Sequence, residues 1–366
     1  MRSILFKYLV LIYRIPSRNE QLCKIIRNLK IKEFKLFIKT FRLQRLWNAG
    51  KVFISYYLSN FFKRPIHWGL PIAIAVEPTT ACNLRCPQCP SGLRSFNRPT
   101  GNLKIQEFKK WLEPIKNKVW AVTFYFQGEP FIHPDVEEGI SIAHKFGLYT
   151  MSSTNGHFLD KQRAERIIQS GLDRLIISLD GTTQEIYEIY RKEGNLDKVT
   201  AGIQNLVTMK RQLKSATPYV IIQFIVMKSN EHQISDLKKL ADSLGVDELK
   251  LKTAQIYDFE NGSDFIPESQ VYSRYQKNET GQFQIKNKLK NGCWKLWHAP
   301  VITWDGQVVP CCFDKDANHP LGSLKDDNFQ TIWNGGAYKN FRKQIWSSRK
   351  SVDICKNCTE GTRVWI

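Results

Sequence analysis

The sequence predicts an α/β fold built on a parallel sheet or barrel, with a helical N-terminal extension and a small cysteine-rich C-terminal domain. Three observations carry this. Between Pro71 and Lys252, short β-branched or aromatic runs alternate six times with helical stretches, and parallel pairing needs such crossovers. Residues 1–70 combine helical periodicity with a strong basic excess. Residues 292–366 hold their own set of cysteines and six tryptophans.

The N-terminal extension comes first. The chain carries a formal charge of +20, and residues 1–70 hold 15 Lys+Arg against two acids, Glu20 and Glu33, for +13. The other 296 residues hold 39 Lys+Arg against 32 acids, for +7. The opening run, Met1 to Arg14, looks like a secretion signal only superficially. Lys7 interrupts it and no small-x-small cleavage site follows. The longest apolar stretch, Tyr8–Tyr13, is far short of the roughly 20 residues that span a bilayer. A cytoplasmic protein is expected. From Asn19 to Leu46 an amphipathic helix is predicted, with Leu22, Ile25, Ile26, Leu29, Leu36, Phe37 and Leu43 on one side. Lys24, Arg27, Lys32, Lys35, Lys39, Arg42 and Arg45 take the other side. An aromatic patch follows from Val52 to Phe62. These helices either dock on the rest of the protein or bind the inner membrane face peripherally. No zinc-finger, RRM or KH signature is present, so no nucleic-acid partner is expected.

The central region, 71–254, supplies the alternation. Strands are predicted at Ile72–Glu77, Val119–Phe126, Leu148–Thr154, Arg174–Asp180, Tyr219–Met227 and Leu249–Lys252. Helices are predicted at Lys104–Lys116, Asp135–Phe146, Lys161–Ser170, Asn195–Leu213 and Ser235–Leu244. In such folds chemistry gathers at the carboxyl ends of the strands. Residues 255–291 are polar and read as a linker or cover. At 42% hydrophobic residues the chain excludes disorder, and nine cysteines, an odd count, exclude a fully paired disulfide framework.

Cys82, Cys86 and Cys89 form C-x3-C-x2-C on the loop after the first strand. Three thiolates so close can hold three corners of a cubane iron–sulfur cluster and leave its fourth iron open. A structural zinc would want a fourth ligand nearby, and Asn83, Arg85 and Gln88 are poor ones.

This loop resembles the signature of the radical S-adenosylmethionine (radical SAM) enzymes. The resemblance covers about Ala73 to Lys252 and implies a partial (β/α)6 barrel. It implies a 4Fe-4S cluster on these three cysteines, with its open iron chelating the amino and carboxylate groups of SAM. Gln127-Gly128-Glu129-Pro130 resembles the family's GGEP motif, whose backbone and acid approach the SAM amino group; the first Gly is Gln127 here. Asn155 closes the third strand. Ser178-Leu179-Asp180-Gly181 closes the fourth and resembles the family's ribose- and carboxylate-contacting segment. By this resemblance Gly128, Glu129, Pro130, Asn155, Ser178 and Asp180 contact SAM, and Met227 packs on adenine or in the core.

Cys293, Cys311, Cys355 and Cys358 form a second constellation. Alone, four such thiolates fit a structural zinc or a fully ligated second 4Fe-4S cluster equally. Behind a radical SAM core the spacing is similar to the SPASM/twitch extension, which carries auxiliary clusters. No cysteine follows Cys358, so one auxiliary cluster is expected, as in an aminocyclitol dehydrogenase. Cys312 and Cys23 are expected to pack as small apolar residues.

The family resemblance implies reductive SAM cleavage to a 5′-deoxyadenosyl radical, which abstracts hydrogen from a peptide, sugar or lipid-linked substrate. The electron would come from a donor such as flavodoxin or ferredoxin, and the auxiliary cluster would suit a net oxidation. The competing class is a membrane-associated electron-transfer module without catalysis. No residue stands out as the general base among Lys252, Gln223, Tyr257, Arg191 and Asp258. His133 reads as a turn residue and His298 as packed among tryptophans.

Overall fold

The computed structural model describes residues 33–359. Helix α1 (Leu43–Phe62) leads into β1 (Ala73–Val76), the short α2 (Pro90–Leu93) and α3 (Ile105–Leu112). The alternation continues through β2 (Ala121–Phe124), α4 (Val136–Lys145), β3 (Tyr149–Thr154), α5 (Lys161–Gln169) and β4 (Arg174–Ser178). It closes with α6 (Gln184–Tyr190), α7 (Leu196–Gln212), β5 (Tyr219–Val226), α8 (Ile234–Leu244) and β6 (Glu248–Thr253). α5 and α7 start where a side chain satisfies an orphan amide: Asp160 accepts from Arg163 N at 2.7 Å, and Asn195 from Lys198 N at 2.7 Å.

Strands β1 to β6 pair in parallel and in sequence order. β5 reads as a near-continuous apolar run because both its faces are covered. Gln223 interrupts that run where it lines a cavity. β6 is the edge, and it is only partly buried, with Lys250 and Lys252 along it.

The opposite edge was not legible in the sequence. After α9 (Lys295–His298), β9 (Val301–Ile302) pairs in parallel with β1, and β10 (Val308–Val309) folds back antiparallel on β9. The sheet thus has eight strands in the order β10-β9-β1-β2-β3-β4-β5-β6. Two-residue strands are too short to show a period.

Residues 255–291 contain an ordered hairpin, β7 (Tyr275–Lys277) with β8 (Phe283–Ile285). Tyr275 is fully buried against Phe259, and its hydroxyl meets Ile256 N at 2.8 Å and Asn357 Oδ1 at 3.1 Å. The segment therefore ties the sheet to the loop between Cys355 and Cys358. Three helices finish the described chain: α10 (Phe329–Asn334), α11 (Gly336–Ser348) and α12 (Asp353–Lys356).

The N-terminal expectation needs correction. Of the helix predicted from Asn19 to Leu46, residues 19–32 lie outside the described part. Residues 33–38 are helical, but the chain turns before α1 begins at Leu43. Thr40 Oγ1 donates to Phe37 O at 2.6 Å, offering the backbone an alternative to another helical turn. Leu43, expected on the buried side, is exposed, and Arg45, expected on the solvated basic face, is wholly buried. The guanidinium donates to the carbonyls of Thr40, Lys116, Phe146 and Gly147. α1 also packs on the C-terminal region, where Phe53 and Tyr56 meet Trp294 at 4.7 and 5.2 Å between ring centroids.

Candidate active site

The loop after β1 is pinned at both ends. Ala81 O accepts from Glu129 N at 2.8 Å, and Lys192 O accepts from Arg85 N at 3.0 Å. Between them Leu84 is fully buried. The loop folds back so tightly that a Cβ at Gly92 would stand 2.5 Å from both Cys86 N and Cys86 O. Cys82, Cys86 and Cys89 consequently line one cavity of about 530 Å³ at the carboxyl ends of the strands. A larger surface groove of about 1000 Å³ lies over the cover, and no cysteine lines it.

Burial pushes the Cys82 thiol up to about 12, and raises Cys86 against the opposing field of Arg191. Uncompensated, these sulfurs stay protonated. Three soft donors beside the Arg191 guanidinium, 3.8 Å from Cys86 Sγ, match the chemistry of an iron–sulfur cluster better than that of a hard cation. Among the described residues, no group of three or more His, Cys, Asp or Glu side chains is drawn in closely enough to hold a metal ion as it stands.

Glu129 sits on the cavity wall, almost wholly buried. Its carboxylate accepts from Phe131 N, Thr154 Oγ1 and Asn155 N at 3.1, 2.7 and 2.7 Å. Burial nevertheless raises its pKa to about 6. Asn155 lines the same wall and donates to Asn83 Oδ1 at 2.8 Å. Gly128, at φ +73°, donates its N–H to Ser91 Oγ at 2.8 Å. Ser178 lines the cavity as well; Pro130 is buried behind it and opens a short 3-10 turn.

Asp180 does not line the cavity. It is fully buried, and its carboxylate accepts from Arg191 Nε and Ile225 N, both at 2.6 Å. Burial works against the charge of Arg191, but Asp180 and Cys86 hold its pKa well above the ordinary value. Arg191 therefore cannot act as a base. Lys252 and Gln223 line the cavity, whereas Tyr257, Asp258 and Met227 do not, and Met227 is core. His133 is a buried structural residue: Nε2 meets Leu103 O at 2.7 Å while Nδ1 accepts from Asp135 N at 3.0 Å. His298 stacks on Trp294 at 4.4 Å.

Sequence reasoning missed part of the cavity wall. Lys295, Cys312, Phe313 and Lys315 reach the cavity from the C-terminal region, and Arg274 from the cover. No motif marks them; their signal was only proximity in sequence to Cys293 and Cys311. Lys295 Nζ stands 3.1 Å from Cys312 Sγ.

The other C-terminal cysteines lie behind that wall. Cys293, Cys355 and Cys358 are buried, and Arg349 Nη2 reaches Cys358 Sγ at 3.4 Å. Burial opposes the charge of Arg349, yet the sulfurs of Cys293, Cys358 and Cys355 raise its pKa. Burial drives the Cys311 thiol well up, and Cys312, Cys293 and Cys358 add to this. Cys355 is pushed up to about 11 by burial, against Arg349. A set of buried sulfurs facing one buried guanidinium fits thiolates held by a cluster.

A profile described as the radical SAM superfamily matches residues 76–241, and one described as an iron–sulfur cluster-binding domain, SPASM, matches residues 293–359. Among solved structures, the chain is similar to Streptococcus suis SuiB bound to S-adenosylmethionine. That match has 16% identity and a TM-score of 0.60, over 87% of this chain and 78% of SuiB. It is similar to anSMEcpe with bound AdoMet at 16% identity and a TM-score of 0.55, over 81% and 86% of the two chains. BtrN in complex with AdoMet and 2-DOIA shares 17% identity over 80% of this chain and 94% of that one, with a TM-score of 0.48. At these identities the likenesses to SuiB and anSMEcpe speak to the fold. The chain belongs to the radical SAM superfamily, as an oxidoreductase or maturase with a C-terminal SPASM iron–sulfur cluster-binding domain.

Proposed function

We propose that this enzyme oxidises or otherwise modifies an anionic substrate by hydrogen abstraction, with its auxiliary cluster taking up the second electron. The observation that carries this is the convergence of two cysteine regions on one cavity. Cys82, Cys86 and Cys89 line the cavity, and Lys295, Cys312 and Lys315 bring the C-terminal domain to its lining as well. A domain placed there for rigidity alone would have no need to wall the reaction space.

Cys82, Cys86 and Cys89 would hold the cluster that supplies the electron for SAM cleavage. Glu129, Asn155 and Ser178 would orient SAM, and Asp180 would act on it only through Arg191 and the β5 backbone. Cys293, Cys311, Cys355 and Cys358 would complete a closed auxiliary site. Superfamily members take their electron from an external donor, here proposed to be flavodoxin or ferredoxin. Lys252, Arg274, Lys295 and Lys315 face a cavity whose lone acid is Glu129, which supports a carboxylate or phosphate on the substrate. Burial lowers the pKa of Lys315, which suits it to accept a proton. Peptides stay within this class: SuiB has been solved with precursor peptide SuiA, and anSMEcpe with the Cp18Cys peptide.

Anaerobic reconstitution tests the proposal. About eight irons per chain and reductive release of 5′-deoxyadenosine are expected. Release by a Cys86→Ala variant would exclude the three-cysteine assignment. Zinc in place of iron on the C-terminal cysteines would exclude the second electron acceptor.

A further inference from the structure

α1 carries apolar side chains on its outward side as well as on its inward one. Its buried side consists of Arg45, Asn48, Ala49, Val52, Ser55, Tyr56 and Ser59. On the other side Leu43, Trp47, Ile54, Tyr57 and Phe61 are 76, 69, 55, 42 and 79% exposed. At about 100° per residue these five fall within an arc of about 80°, along a helix about 30 Å long. A helix of a water-soluble protein ordinarily turns its apolar stripe inward. Here the inward side is committed by specific bonds. Arg45 holds four carbonyls, Asn48 Nδ2 donates to Leu70 O at 2.8 Å, and Ser59 Oγ donates to Ile66 O at 2.7 Å. The helix is keyed in this orientation, and its apolar stripe faces out.

The charge around the stripe says what would cover it. Residues 34–76 contain no acid. Lys35, Lys39, Arg42, Lys51, Lys63 and Arg64 are all exposed. Lys51 Nζ lies 5.7 Å from the Trp47 ring centre, and the Arg64 guanidinium carbon 5.5 Å from that of Phe62, so cations border the aromatic stripe directly. Residues 1–32 carry eight Lys+Arg against Glu20 alone, so they add to the positive charge of this end of the chain. A second copy of the same face would be repelled. Aromatic and aliphatic side chains bordered by Lys and Arg suit the interface of an anionic bilayer, where the rings sit at headgroup depth and the cations meet lipid phosphates. Among the described residues no helix is long and apolar enough to cross a membrane.

We propose that the outward face of α1 docks this enzyme peripherally on an anionic lipid bilayer. The inward face of α1 holds Trp294, the neighbour of Lys295 on the cavity wall, so docking would fix the cavity's orientation to the lipid surface.

Co-sedimentation of the full, anaerobically reconstituted chain with vesicles tests this. Binding is expected to phosphatidylcholine vesicles with about one third phosphatidylglycerol, and to fall steeply from about 0.1 to about 0.5 M salt. Pure phosphatidylcholine should bind far less. Substituting Leu43→Ser, Trp47→Ser and Phe61→Ser together should weaken binding at least about a hundredfold. Since all three point to solvent, 5′-deoxyadenosine release should be unchanged. Lys51→Glu, Lys63→Glu and Arg64→Glu together should abolish the preference for anionic lipid. The proposal is overturned if the parent ignores anionic vesicles or the serine variant binds like the parent. It is also overturned if the parent self-associates through this face, or captures a protein partner there, without binding vesicles.

Discussion

Lys295 and Cys312 meet on the cavity wall, with Nζ 3.1 Å from Sγ. The adjacent Cys311 does not line the cavity; burial drives its thiol up, and Cys312, Cys293 and Cys358 add to this. The pair opens a turn, with Asp314 N donating to Cys311 O at 3.2 Å, and Cys312 is committed to the cavity wall, which leaves Cys311 to the cluster behind it. Cys311→Ala is expected to cost about four irons per chain, whereas Cys312→Ser should retain about eight. Iron analysis with electron paramagnetic resonance of the reduced protein measures both. Loss of iron in the Cys312 variant alone would reverse the assignment.

Gly128 answers for the shape of the turn proposed to face SAM. Its φ of +73° is one that glycine adopts freely, and a Cβ there would stand 2.3 Å from Thr79 O and 2.8 Å from Ala81 O. Those carbonyls belong to the stretch that delivers Cys82. Gly128→Ala should therefore weaken SAM binding at least about tenfold. Ser91→Ala, which removes the 2.8 Å acceptor of Gly128 N and a 3.4 Å donor to Gln127 Oε1, should cost less. Equilibrium dialysis of SAM against the reconstituted variants ranks them. Equal affinities would mean that the turn relaxes at no cost.

What the sequence disclosed follows from the range of each signal. The six central strands and the C-x3-C-x2-C loop are local, so periodicity and spacing sufficed to read them. Arg45 was misplaced because its four carbonyl partners come from three separate parts of the chain, at Thr40, Lys116 and Phe146–Gly147. A helical wheel sees only the helix, and on a wheel Arg45 belongs with the solvated cations. Asp180 shows the same limit. Its place at a strand's end was legible, but its engagement by Arg191 and Ile225 N depends on how two further elements pack. Lys295 and Lys315 reach the cavity only because β9 joins β1, a pairing that two-residue strands do not announce.

His67 lies beside Trp297 and Trp333, with ring centroids 6.2 and 5.1 Å away. Burial, aided by Arg342, lowers its pKa from 6.5 to about 2. The folded protein thus refuses a proton that the unfolded chain accepts below 6.5. Stability is expected to fall as pH drops from there toward 2. His67→Phe keeps a ring and removes the titration, so its urea midpoint should change less between pH 5.5 and pH 7.5 than the parent's. An equal drop in both proteins would place the acid sensitivity elsewhere.

Glu129 should link SAM binding to pH. Burial raises its pKa to about 6, so without a partner the folded state favours the protonated acid. The contribution of this group to stability is present at low pH and declines as pH rises through about 6. An N–H donor set against the carboxylate reverses the preference, because the ionised form accepts the stronger hydrogen bond. If the SAM amino group is that donor, binding expels a proton from Glu129 below about pH 6 and no longer does so above it. Affinity for SAM should then rise about fourfold from pH 5.5 to pH 7.5, with most of the change below pH 6.5. Glu129→Gln should bind more weakly and lose the pH dependence, because its amide carries no proton to expel. Calorimetry of SAM binding in two buffers of different ionisation heat, with the Glu129→Gln count subtracted from the parent's, isolates that proton. A parent that binds equally at both pH values without releasing a proton would show that Glu129 faces some other group, leaving Asn155 and Ser178 to orient SAM.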